Sequence, residues 1–235
     1  MCAGNSCLDL LQSGNTADGV YMIAARHGRA SAPVYCDMTR DGGGWTLLAS
    51  NIGSDLHEWT SAQVAAFRKA HPSITADYSN LAIGDQIKDT SLPTLQYRLE
   101  ANSFGQQGGI FSAPSAYSFL RTTDDQNNVT VNKWFPNTAE FSNDGIKKRM
   151  PYWRKSCTNA NVSGCGMLTS ASGDENMYGT LIFSTKKVWT PAPWDVTQAR
   201  GKPGSIWYWV RERQPGAHPC LSGSDSARLS IRLSV

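Results

Sequence analysis

Short apolar runs broken by turn residues dominate this chain, and few stretches carry a helical period. Leu8, Leu10 and Leu11 give one or two helical turns. Gly14-Asn15 and Asp18-Gly19 are turn signals, and Val20 to Ile23 is a short β-prone segment. Arg26-His27-Gly28-Arg29 reads as a hairpin loop. Ala32 to Cys36 is extended, and Trp45 to Ala49 opens the next strand. Residues 60–71 form the clearest helical pattern, capped by Thr60 or Ser61 and stopped at His71-Pro72. Ile83 to Lys88 suits a second short helix. Leu95 to Glu100 alternates apolar and polar, the mark of a half-buried strand.

Further along, Gly105 to Phe111 is rich in glycine but lacks the Lys-Ser/Thr ending of a phosphate loop, so it reads as a plain loop. Tyr117 to Leu120 and Val129 to Val131 read as strands around the polar turn Thr123 to Asn128. Residues 135–180 are polar and turn-rich, a pattern expected of a functional surface. Tyr178 to Phe183 and Ser205 to Arg211 are the strongest candidates for central strands, with Trp207 and Trp209 on one face directed to the core. Ala227 to Leu233 alternates like an edge strand. The fold class is α+β: one domain over 1–235, with a small N-terminal part at 1–50 and a larger twisted antiparallel sheet with long loops at 51–235.

Composition narrows the function. The chain of 235 residues is 40% hydrophobic and 17% charged with a net charge of +3. Lys147-Lys148-Arg149 is the only dense basic patch, too little for nucleic acid, which demands many phosphate contacts. No apolar run reaches a membrane span, so no membrane insertion is expected. Six cysteines, Cys2, Cys7, Cys36, Cys157, Cys165 and Cys220, suit disulfides in any of 15 pairings. None forms Cys-x-x-Cys, and the four histidines show no zinc-ligand spacing with them. Asn128-Val129-Thr130 and Asn161-Val162-Ser163 are N-glycosylation acceptors. Together these point to a secreted or extracellular protein. Met1 to Gly4 lacks a signal peptide's apolar core, so the signal is expected to have been removed, or the chain to be an excised domain.

One segment carries the most specific information: Tyr35-Cys36-Asp37-Met38-Thr39-Arg40-Asp41-Gly42-Gly43-Gly44-Trp45. Three glycines permit backbone angles and close approaches that a side chain forbids. The Trp after them is expected to be buried with its N–H bonded. This segment resembles the YCDxxxxGGGW signature of fibrinogen-related domains, the group of fibrinogen C-terminal globes, ficolins and intelectins. Ser6 to Leu11 and Asp18 to Ile23 resemble the same group's opening helix and strand. The resemblance runs from about Cys7 to Leu48, and it implies the fibrinogen C-terminal-like fold.

The resemblance also implies a disulfide between Cys7 and Cys36. Cys157 and Cys165 flank seven residues and suit a local bridge, which leaves Cys2 with Cys220. By the same resemblance the protein is a non-catalytic, lectin-like module for carbohydrate or acetylated surface groups. The alternative is a structural or adhesive module that binds another extracellular protein. A homo-oligomer is compatible with either.

Candidate chemistry follows the same line. Asp124-Asp125 and Asp174-Glu175 are adjacent carboxylates, which in a strand point to opposite faces and do not make a catalytic pair. No Gly-x-Ser-x-Gly elbow occurs, and oxidised cysteines leave no thiolate, so no enzyme is expected. Calcium needs clustered oxygen ligands on a loop. Asp174, Glu175 and Asn176 offer them in the half of the chain where fibrinogen-related domains hold calcium, and Asp124 to Asn128 is a second candidate. Trp189 and Trp194, in a proline-stiffened segment followed by Asp195, Gln198 and Arg200, suit stacking on a sugar ring. The ligand surface is therefore expected on the loops from Asn143 to Lys202.

Overall fold

The computed structural model describes residues 4–24, 31–52, 71–138, 148–154, 166–170, 181–183 and 205–212. Helix α1 (Cys7–Gln12) starts at Ser6, whose side chain accepts from the Asp9 backbone N–H, a normal N-cap. Strands β1 (Gly19–Ile23) and β2 (Ala32–Asp37) pair antiparallel, with Gly19 opposite Cys36 and Ile23 opposite Ala32. Then follow β3 (Trp45–Asn51), the two-residue β4 (Tyr78–Ser79), helix α2 (Ala82–Ile87), β5 (Thr94–Ala101), β6 (Gln107–Pro114) and β7 (Thr130–Trp134). Strands β8 (Tyr152–Arg154), β9 (Gly166–Thr169) and β10 (Leu181–Phe183) form a separate three-stranded sheet, and β11 is Ile206–Arg211.

The main sheet is eight-stranded in the order β1-β2-β3-β11-β5-β6-β7, with β4 also on β3. Every paired strand in it is antiparallel. The N-terminal hairpin thus continues the large sheet. Strand β11 lies between β3 and β5, as its two apolar faces demand: Ile206, Tyr208 and Val210 enter the main core, and Trp207 and Trp209 the opposite layer. A bulge between Tyr208 and Trp209 skips Leu48 on β3, which lets the consecutive residues Leu48 and Ala49 both pack into the main core.

The two layers differ in chemistry. One is aliphatic and aromatic, built on Leu48, Tyr97, Leu99, Phe111 and Phe119 and covered by Ile83 and Ile87 of α2. Tyr97 stacks on Phe111 at 5.0 Å. The other holds Trp45, Leu47, Tyr78, Ile110, Phe135, Trp207 and Trp209.

Several sequence expectations change here. β5 is not half-exposed: Gln96, Arg98 and Glu100 are buried along with Leu95, Tyr97 and Leu99. Their alternation separates two buried layers, not core from solvent. Residues 105–111 are not a plain loop, since β6 begins at Gln107. Gly109 is required there, because a Cβ would sit 2.6 Å from the Lys133 carbonyl oxygen of the neighbouring strand. Tyr117 to Leu120 forms turns instead of a strand, because Pro114 ends β6 and the Tyr117 N–H turns back to the Pro114 carbonyl. Leu181 to Phe183 belongs to the small sheet, not the centre of the large one. The helix expected at 60–71 and the strand at 227–233 lie outside the described residues, apart from His71.

Candidate functional site

The signature turn is the frame on which the described surface is built. Cys7 and Cys36 are disulfide-bonded, tying α1 to β2. Gly43 and Gly44 have φ of 66° and 74°, and a Cβ on Gly43 would lie 2.1 Å from the Met38 carbonyl oxygen. The turn folds over Arg98 and Arg211. Arg211 donates to the carbonyl oxygens of Asp41 (3.1 Å) and Gly43 (2.7 Å), and its other nitrogens donate to Gln96 Oε1.

Arg98 is fully buried. It pairs with Asp37, and its Nε lies 3.3 Å from Glu100. Arg40 bridges the same two carboxylates at 2.7 Å and 2.8 Å. Three guanidiniums alternate with three rings. Arg40 lies 4.1 Å from Phe104 and 5.5 Å from Trp209. Arg98 lies 4.8 Å from both Trp209 and Trp45, and Arg211 lies 4.0 Å from Trp45.

Burial would raise the Asp37 carboxyl, but the charge of Arg98, the Arg40 backbone N–H and the charge of Arg40 outweigh it and hold it below its ordinary value. Burial pulls the Arg98 guanidinium down, against the opposing pull of Glu100 and Asp37. Trp45 is buried as expected, but among the described residues its indole N–H meets no acceptor. Guanidiniums of Arg98 and Arg211 lie against its ring, a contact that holds the ring but does not satisfy the N–H. This arrangement is a structural lock.

A surface cleft lies on the loop that follows β6. It has a volume of about 250 Å³ and is lined by Ala116, Tyr117, Ser118, Arg121, Asp125 and Gln126. The loop that forms it is closed by one side chain. Gln126 is buried; its amide oxygen accepts from the Ser118 N–H at 2.6 Å, and its amide nitrogen donates to the Ser118 carbonyl at 2.8 Å. The loop is anchored to α2 by Ser118 bonded to Asp85, and just beyond α2 by Lys88, which donates to the Tyr117 carbonyl. From the far side the Met150 N–H donates to the Gln126 carbonyl.

Across the mouth, Arg121 and Asp125 form a two-point fork of 3.1 Å and 2.5 Å, and Thr123 donates to Asp125 at 2.9 Å. Those bonds, led by that from Arg121, bring the Asp125 carboxyl down to about 2. It stays ionised at neutral pH as a fixed acceptor and is a poor proton carrier.

The expected site residues divide sharply. Asp174, Glu175, Asn176, Trp189, Trp194, Asp195, Gln198, Arg200, Asn161, Cys157, Cys165, Cys2 and Cys220 all lie outside the described residues. Asn128 is described and exposed, just ahead of β7. The second calcium candidate is not assembled as a ligand cluster. Asp125 is turned to Arg121, and Asp124 lies 3.5 Å from Arg149. Among the described residues, no three His, Cys, Asp or Glu side chains gather for a metal. Nor, among them, is any helix long and apolar enough to cross a membrane. Arg121 and Gln126 went unrecognised as cleft residues. The available signal was Pro114, which ends a strand, and the polar run from Arg121 to Asn128, which marks a loop.

Comparison with known proteins agrees with the signature. The family model described as "Fibrinogen beta and gamma chains, C-terminal globular domain" matches residues 3–61. Fibrinogen C domain-containing protein 1 of Mus musculus is 54% identical over 72 residues, which cover 31% of this chain and 15% of that protein. The matched stretch is thus a small part of that relative. The fibrinogen-like globe domain of human ANGPTL6 superposes with a TM-score of 0.55 at 16% identity, covering 90% of this chain and 96% of that one. Lamprey fibrin D-dimer, complexed with the peptide ligand Gly-His-Arg-Pro-amide, gives a TM-score of 0.51 at 13% identity, over 94% of this chain and 78% of that one. The signature is matched in sequence over residues 3–61, its disulfide and glycine turn are formed, and the chain shares the fold of fibrinogen-like globe domains.

Proposed function

We propose that this domain is an extracellular, non-catalytic recognition module that binds carbohydrate or acetylated surface groups through its loops. The observation that carries the reading is the pairing of a locked frame with an open, pinned loop. The disulfide and the arginine–aromatic layer hold the sheet, and the Arg121–Asp125 fork presents fixed donors and acceptors to solvent. Rigid elements that position polar groups at a concave surface are the usual construction of a binding site. Calcium at Asp174, Glu175 and Asn176, and stacking on Trp189 and Trp194 beside Asp195 and Arg200, are part of this proposal. The exposed Asn128 acceptor accords with secretion.

A glycan array read with and without chelator tests it. Asp174→Ala should weaken both metal and glycan binding if calcium organises the loops. Trp194→Ala should abolish binding, with chelator inert, if the platform is aromatic. A blank array would remove the lectin reading. The second reading is a protein-binding module, favoured by the peptide held by the lamprey fibrin neighbour. Capture of a defined extracellular peptide in place of any glycan would establish it.

A further inference from the structure

We infer that the cleft at residues 116–126 is a metal-independent subsite for one neutral sugar ring. This deepens the recognition reading and rests on it. The size is the first constraint. At about 250 Å³ the cleft is below the roughly 300 Å³ at which pockets for drug-sized ligands begin. It holds a single ring and no extended chain.

Charge is the second constraint. The rim presents one guanidinium and one carboxylate, each 53% exposed and each already neutralised by the other. The paired charges cancel, so neither a cationic nor an anionic ligand gains a net Coulombic attraction at this rim. A ring bearing neighbouring hydroxyls suits both side chains, since each hydroxyl donates and accepts. Arg121 commits Nε and one Nη to Asp125, which leaves donors of its second Nη for a ligand oxygen. Asp125 is held ionised as the complementary acceptor.

Preorganisation is the third. An exposed ion pair contributes little to folding, yet this one is braced by Thr123 on a loop whose closing amide is buried. The loop's backbone is fixed at both ends before any ligand arrives, which cuts the ordering cost of binding. Tyr117 also lines the cleft.

Saturation-transfer NMR on the intact protein tests this, with methyl galactoside, methyl mannoside and N-acetylglucosamine as probes and glucuronate and glucosamine as charged analogues. At least one neutral probe should bind, undiminished by EDTA, and the charged analogues should bind several-fold more weakly. Arg121→Gln and Asp125→Asn should each weaken binding about tenfold, as expected for loss of a charge-assisted hydrogen bond. Ala116→Trp leaves the fork intact and should fill the cleft and block binding. Thermal unfolding checks that each variant is folded.

No binding by any neutral probe, or binding unchanged in Ala116→Trp and both fork variants, would overturn the inference. If a glycan array is positive while these variants behave as wild type, the cleft assignment alone fails. If the array and the probes are both blank, the recognition of sugars fails with it.

Discussion

Replacing Arg98 with methionine probes the most consequential part of the fold. Methionine keeps an unbranched apolar stem and removes the guanidinium with its charge. In the native protein this guanidinium is fully buried, touches Asp37 and lies 3.3 Å from Glu100. It also sits 4.8 Å from the rings of both Trp45 and Trp209. Removing one member of a buried ion pair typically costs about 3–5 kcal/mol, because the other charge stays behind. Arg40 still reaches both carboxylates, at 2.7 Å and 2.8 Å, which favours the lower end. Loss of two desolvated cation–π contacts adds about 1 kcal/mol or more. The expected total is about 4 kcal/mol, or roughly 8–16 °C in Tm at this chain length.

Denaturant and thermal unfolding under non-reducing conditions measure it. A double-mutant cycle with Asp37→Asn isolates the pair and should show coupling of about 2 kcal/mol or more. A cost below about 1 kcal/mol, or coupling indistinguishable from zero, would refute the claim that this buried pair locks the signature turn to β5.

Trp45→Ala should cost about 3–5 kcal/mol in unfolding free energy through the cavity left against Arg98 and Arg211; unchanged stability with lost ligand binding would make Trp45 a contact residue instead. Gly43→Ala should be poorly tolerated, since it combines positive φ with a Cβ on the Met38 carbonyl, and soluble yield and Tm will report it. Opening the Cys7–Cys36 bridge with a Cys7→Ser/Cys36→Ser pair should cost about 3–4 kcal/mol from chain entropy for a separation of 29 residues, measured by urea unfolding. Asp37 has its carboxyl lowered from 3.8 in the folded state, so its stabilisation is present above that value and lost as pH falls through the lowered one. Stability should therefore hold from neutral pH to about 4 and decline below, and Asp37→Asn should flatten that acid limb.

What was legible in the sequence was local. The glycine turn, the strand on either side of it, the short helix at Cys7 and the paired faces of β11 all follow from residues adjacent in the chain. Backbone angles and alternation are properties of a few neighbours, so a single strand of text carries them. The family resemblance lay in the same forty residues, and the Cys7–Cys36 bridge came with it.

The tertiary structure decided what those elements face. Gln96, Arg98 and Glu100 look like the solvent side of a half-buried strand, and nothing within β5 says otherwise. They are buried because β11 inserts beside β5 from more than a hundred residues away and the signature turn closes over them. Gly109 reads as loop until β7 is placed against it, where a side chain would strike a neighbouring carbonyl. The cleft likewise depends on contacts between distant segments: Asp85, Lys88 and Met150 hold the loop that Gln126 closes. Burial and pairing are set by which segments meet, and that is a property of the whole chain's packing, which no local pattern encodes.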